Sequence, residues 1–276
     1  MADSMIYFDK LENRYLIKGK LKATGALHIG SGLGDENSDA KVMSMNGKPY
    51  LPGSSLKGYL RSNLERMVAT LEDKAGFAYN TCVLNKEYAS DDVECATADD
   101  DLSKKLQKAK AKNTKQYFNK LNDKLCSVCK LFGSTEMASK VKITDAFLVS
   151  DRADISVRDG IAIDRDTGTT KKGAKFDYEV VEKGAEFSFE LIAENLAEGE
   201  LGLIALAMLD LINDSAAIGG NTSKGLGQVK LELEEIECFE DSTELVNYLS
   251  SGKMESKNQP EEFLQKQLKD LMDEVS

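Results

Sequence analysis

The chain has 276 residues, 41% hydrophobic and 30% charged, enough for one sizeable core carrying insertions. Its formal charge of −11 argues against a uniformly basic nucleic-acid binder, yet residues 232–276, with thirteen acids and four lysines, hold −9 of it and leave 1–231 at −2. No run of eighteen apolar residues occurs and residues 1–10 lack a leader pattern, so no membrane span is expected; the cytoplasm is the expected compartment, where cysteines stay reduced or bind metal.

In chain order, residues 14–24 alternate Tyr15, Ile17, Leu21 and Ala23 with Lys18, Lys20 and Lys22, the pattern of a half-buried strand with a basic outer face. A glycine-rich loop, HIGSGLGDENSD at 28–39, precedes a short strand-like KVMSM and an Asn46–Gly47 turn. Beyond Pro52, Leu56, Leu60, Leu64, Met67, Val68 and Leu71 recur at helical spacing, with Ser54 or Ser55 the expected N-cap. Residues 74–130 lose the periodicity, mix acidic and lysine-rich runs, and read as an insertion. Strand character returns at 141–149, fades through a polar 151–183, and resumes at 186–193 with Phe187, Phe189 and Leu191 alternating. LGLIALAMLDLI at 201–212 predicts a helix, and IGGNTSKGLGQ leads into a last strand at 229–236. Without its insertions the order is strand, helix, strand, strand, helix, strand. That is an α+β, ferredoxin-like (RRM-like) βαββαβ fold. The residues after Cys238 read as a solvated acidic tail with one weakly amphipathic helix near 260–274.

Five places carry chemistry. Lys57 and Arg61 lie four apart on one helix face near a helix start, where free N–H groups and the dipole favour phosphate; the alternative is two solvated cations. The loop at 219–229 has Gly219, Gly220, Gly225 and Gly227 for close backbone approach, with Ser223 and Lys224 as polar contacts; it opens no helix, which excludes a Walker or dinucleotide loop. Cys82, Cys95, Cys126 and Cys129 form C-x12-C-x30-C-x2-C, whose second half is a typical zinc knuckle; structural zinc would order a polar insertion, the alternative being unliganded thiols. His28 is the only histidine, which excludes two-His metal and Ser-His-Asp chemistry. Asp35, Glu36 and Asp39 crowd the first glycine loop, either as an exposed acidic turn or as Mg²⁺ or Mn²⁺ ligands.

In order, LHIGSG (27–32), LPGSSLKGYLR (51–61), CSVCKLFGS (126–134), DGIAIDRDTG (159–168), FSFEL (187–191) and GGNTSKGLGQV (219–229) resemble the RAMP superfamily of CRISPR-associated proteins. The likeness spans roughly residues 14–236 and is closest to the repeated backbone subunit of type III (Csm/Cmr-like) effector complexes. The resemblance implies a domain at 1–237, with the insertion at 74–130, a thumb hairpin at 155–183, and the acidic segment 238–276 outside it. It implies a palm that binds a CRISPR RNA guide through Lys57, Arg61 and the 219–227 loop. On the thumb, Arg158, Arg165, Lys171, Lys172 and Lys175 become backbone contacts. Expected partners are the complementary target RNA, further copies or related RAMP subunits, and a large polymerase-like type III subunit. In such subunits a loop aspartate supports metal-dependent endoribonuclease cleavage of target RNA. Counting back from Pro52 across a two-residue deletion at 45–47 gives Asp39, with Asp35 competing. Two other readings are a non-catalytic guide holder and a CRISPR RNA-processing endoribonuclease using His28.

Overall fold

The computed structural model describes residues 8, 10–32, 39–82, 95, 97, 104 and 114–273, excepting the side chains of 114–116, 118, 119, 172 and 173. Among these, the strands are β1 (Arg14–Ala23), β2 (Ser44–Met45), β3 (Lys48–Leu51), β4 (Val141–Ile143), β5 (Ala146–Phe147), β6 (Ile155–Ile163), β7 (Thr170–Val181), β8 (Glu186–Glu194), β9 (Ala216–Ala217), β10 (Gln228–Phe239) and β11 (Glu255–Lys257). The helices are α1 (Gly53–Leu71), α2 (Thr114–Asp123), α3 (Ser127–Phe132), α4 (Glu200–Ile212), α5 (Ser242–Ser251) and α6 (Pro260–Asp273).

β1 is central because every second side chain is apolar and its partners match. It pairs antiparallel with β10 on one side and β8 on the other, and β4 extends the sheet beyond β8. The order β10–β1–β8–β4, with α1 following β1 and α4 following β8, is the antiparallel arrangement of a βαββαβ core. Ile17, Leu21, Phe187, Leu191, Val229 and Leu231 line its inner face, and Leu56, Leu60, Leu64 and Val68 of α1 are buried in the same cluster. Each such side chain contributes about 1.5–3 kcal/mol on leaving water. The apolar α4 is buried over most of its surface, and Glu200 in its first turn holds the Lys140 ammonium at 2.6 Å, both largely out of solvent.

Three expectations change. The 141–149 strand breaks into β4 and β5 around Thr144 and Asp145, letting β5 leave for β3. The basic outer face of β1 is neutralised: Lys18 meets Glu237 at 2.6 Å and Glu235 at 3.4 Å, Lys20 meets Glu234 at 2.7 Å, and Lys22 meets Glu186 at 3.5 Å. The acidic C-terminal residues are more than a tail. β10 runs past 237 to Phe239, β11 adds to its edge, and α6 folds back on α4 with Leu264 and Leu271 buried. The helical spacing of Phe263, Leu264, Leu268, Leu271 and Met272 outweighs the charge of the segment.

The polar stretch at 155–181 is a separate two-stranded hairpin, β6–β7, paired from Ile155↔Val181 to Ile163↔Thr170. Its arms project Val157, Ile161, Ile163 and Phe176 into solvent, each at least 40% exposed.

Candidate metal centre and candidate nucleic-acid interface

The four cysteines converge. Cys126 and Cys129 begin α3, Cys82 lies beyond α1, and Cys95 comes from the insertion; all four are buried, with sulfurs within 4.8 Å of one another. A tetrahedron with Zn–S arms of 2.3 Å has edges of about 3.8 Å, and the Cys82–Cys129 sulfurs are 3.7 Å apart. The backbone N–H of Cys129 donates to Cys126 Sγ at 3.4 Å and that of Cys126 to Cys95 Sγ at 3.5 Å, so the turn already solvates sulfur charge. Hydrogen bonding from Cys126 draws the Cys129 thiol below its ordinary range. A buried hydroxyl next to this cluster, that of Thr81, has no hydrogen-bond partner among the described residues. The donor set fits a metal ion such as zinc, held by Cys82, Cys95, Cys126 and Cys129. The chemistry a closed four-sulfur site supplies is structural.

The start of α1 differs from the sequence reading. Pro52 is its N-cap, neither Ser54 nor Ser55 caps it, and the Gly53 N–H donates to the Asp145 carboxylate at 2.7 Å. An acid at the positive helix end is favourable, and one 92 residues away leaves no local signal. One turn on, Lys57 has no carboxylate partner among the described residues. Burial lowers its pKa, and the neighbouring Arg61 charge adds to that. Such a half-dehydrated cation is suited to an anion. Lys57→Ala is expected to weaken RNA binding without sequence preference and to reduce the log–log salt slope by about 1, measured by filter binding across a salt series. Arg61 turns elsewhere: its guanidinium donates to Glu65 at 2.8 Å, the Gly133 carbonyl at 2.9 Å and Cys129 Sγ at 3.3 Å.

A second cluster forms around residues 176–179 of β7. His28 is buried, its Nδ1 lies 2.6 Å from the Glu179 carbonyl, and its ring meets Tyr178 edge-on at 5.5 Å. The 219–227 loop closes over it: the Gly220 N–H donates to the His28 carbonyl and the Gly227 N–H to the Ala26 carbonyl, both at 2.8 Å. Ser223, Lys224 and Gly225 stand exposed at the tip, with the Lys224 ammonium 5.8 Å from the Phe176 ring centre. Asp39 reaches the same strand. Its N–H donates to Asp177 Oδ1 at 2.8 Å and its Oδ2 accepts from the Asp177 N–H at 3.0 Å. Asp35 and Glu36 lie outside the described residues.

On the hairpin, Arg158 pairs with Glu182 at 3.5 Å and Lys175 with Asp159 at 3.1 Å. Arg165 and Lys171 are exposed without a carboxylate partner among the described residues, and the Lys172 side chain lies outside them. The structure therefore joins His28, Asp39 and the glycine loop around β7. It ties Arg61 to the cysteines and leaves Lys57 apart from both. Sequence reasoning missed Asp145, Phe176, Asp177 and Tyr178. Only the alternation of Phe176 and Tyr178 in a polar segment hinted at a strand.

No helix among the described residues is long and apolar enough to cross a membrane. Against known families, the model for the RAMP superfamily matches residues 20–230. No curated protein matches the chain.

Proposed function

The chain belongs to the RAMP superfamily of CRISPR-associated, RNA-binding proteins, and on that footing we propose that it is a guide-binding backbone subunit of a type III effector complex in antiviral defence. The observation that carries this reading is the junction at 176–179 of β7, where the glycine loop, the first loop and the hairpin meet. Residues 1–237 form the RAMP unit in this reading, with the insertion 74–130 ordered by zinc, and 238–276 is an acidic C-terminal addition. The sheet and its helices act as a palm, and the hairpin within 155–183 acts as a thumb whose exposed Val157, Ile161 and Phe176 wedge between bases. The guide backbone lies on Lys57, Ser223, Lys224 and the Gly219–Gly227 loop, with Arg158, Arg165, Lys171 and Lys172 along the thumb. Phosphate contacts position the guide, and pairing with the target supplies sequence. Further copies or related RAMP subunits and a large polymerase-like subunit complete the assembly.

Cleavage of target RNA is assigned to Asp39, with Asp177 beside it. Two carboxylates on one exposed edge offer the hard oxygen ligands that Mg²⁺ or Mn²⁺ prefers, and Asp39 and Asp177 would hold such an ion where it would supply charge stabilisation for in-line attack by a neighbouring 2′-hydroxyl. A non-cutting role draws support from the hydrogen bond that Asp39 Oδ2 already accepts. His28 as a processing catalyst draws none, being buried and engaged at Nδ1. Complex assembled with Asp39→Ala should retain guide RNA and lose target cutting at least about 100-fold in Mg²⁺. Unchanged cutting would remove Asp39 from the reaction.

A further inference from the structure

The Arg61 side chain is the only guanidinium that the described residues place on a cysteine sulfur. Three groups fix it. Glu65 takes Nε at 2.8 Å, the carbonyl of Gly133 at the end of α3 takes one terminal nitrogen at 2.9 Å, and Cys129 Sγ takes the other at 3.3 Å. Its side chain is only 22% exposed. Burial works against its charge, and the Glu65 carboxylate together with the Cys129 and Cys82 sulfurs outweighs this.

Resting on the zinc reading of the four cysteines, we propose that Arg61 is a positioning residue of that metal centre, and that its guanidinium serves a thiolate rather than RNA. A divalent ion with four thiolates carries a net charge of −2, which is costly in a buried site. Arg61 brings a fixed positive charge onto one sulfur and, through the Gly133 carbonyl, ties the far end of α3 to α1. Its planar fork spans both acceptors at once, which a lysine ammonium at the end of a flexible stem reproduces in part only. α1 thereby acquires two kinds of cation one turn apart: Lys57 open to an anion, and Arg61 committed to sulfur.

The test uses the full chain loaded with Zn²⁺ or Co²⁺. Zinc affinity is read by competition with a chromophoric chelator, and the thiolate-to-Co²⁺ charge-transfer band by absorption. Arg61→Met should lower zinc affinity 10- to 100-fold, the range for lost outer partners of metal ligands. It should also move the band to lower energy, because a thiolate without its hydrogen bond gives up charge more readily. Arg61→Lys should recover part of both. A wild-type chain that holds zinc, with Arg61→Met showing the same affinity and band, overturns the role of Arg61. A wild-type chain that holds no metal overturns the zinc reading itself. Should Arg61→Met fail to fold, Glu65→Gln keeps Arg61 and all four cysteines while loosening the guanidinium. It should shift affinity and band in the same direction by less, and no shift again overturns the proposal.

Discussion

Replacing Cys126 or Cys129 by serine is expected to remove about one zinc per chain and lower the melting temperature by about 10 °C. Binding to preformed thiolates is folding free energy, since the unfolded chain offers no assembled site. Isolated zinc fingers owe about 10–16 kcal/mol to their ion, but here Leu121, Leu125, Val128 and Leu131 already pack around the knuckle. A loss of about 3–5 kcal/mol is the expected share, and for a domain of this size each kcal/mol moves the midpoint by about 2–4 °C. Elemental analysis and calorimetry on the same sample check both halves. A wild-type chain without zinc, or a serine variant melting where the wild type melts, would leave these residues as ordinary buried thiols. Cys238, buried on β10 away from the cluster, is the internal control: its thiol is pushed up to about 11 by burial, and its replacement by serine should leave zinc content unchanged.

The other large effect is expected in the 219–227 loop. Gly219 has φ +93° and Gly227 φ +90°, a region where a branched side chain is strained by about 1–3 kcal/mol. Space is also lacking. A Cβ on Gly219 would stand 2.5 Å from the His28 carbonyl oxygen, and one on Gly227 would collide with the backbone of Ile218. Both obstacles are backbone and cannot rotate away. Gly219→Val or Gly227→Val should therefore pull the loop off His28 and Ala26, at a cost of roughly 3 kcal/mol in stability and more than about tenfold in guide-RNA affinity. Gly225, with open space around it, should tolerate alanine far better despite its positive φ. RNA affinity by filter binding, beside the melting temperature, separates a misplaced loop from an unfolded chain. Retained affinity in the Gly219 and Gly227 variants would take this loop off the RNA path.

What the sequence disclosed follows the reach of each interaction. β1, α1, β8, α4 and β10 are written in local periodicities of two or 3.6, and each forms where its pattern lies. The Cys126–Cys129 knuckle is local too, while Cys82 and Cys95 could be joined to it only by counting sulfurs. The remaining features are long-range. Asp145 reaches α1 from a turn 92 residues away, and Arg61 meets a sulfur 68 residues on. The lysines of β1 form a basic strand until β10 is laid against them in register and its glutamates meet them. The hairpin at 155–181 is expected from the family resemblance and not from periodicity, for another reason. Both its faces are exposed over much of their length, so no alternation of buried and solvated residues marks it.

The packing of α6 on α4 sets the limits of inheritance against those of folding. The family match stops at residue 230, partway along β10, whereas the strand continues to Phe239 and the underside of α4 is completed by Leu264 and Leu271. At Gly202, a single added carbon would meet the carbonyl oxygen of Gln267 at 2.8 Å, so the two helices touch almost backbone to backbone. A gene shortened to the shared region would lose most of β10, the strand beside β1, and bare an oily seam, and its product would be sticky in solution whatever its hold on RNA. The acidic end of this protein lies outside the matched region, yet the core is not separable from it.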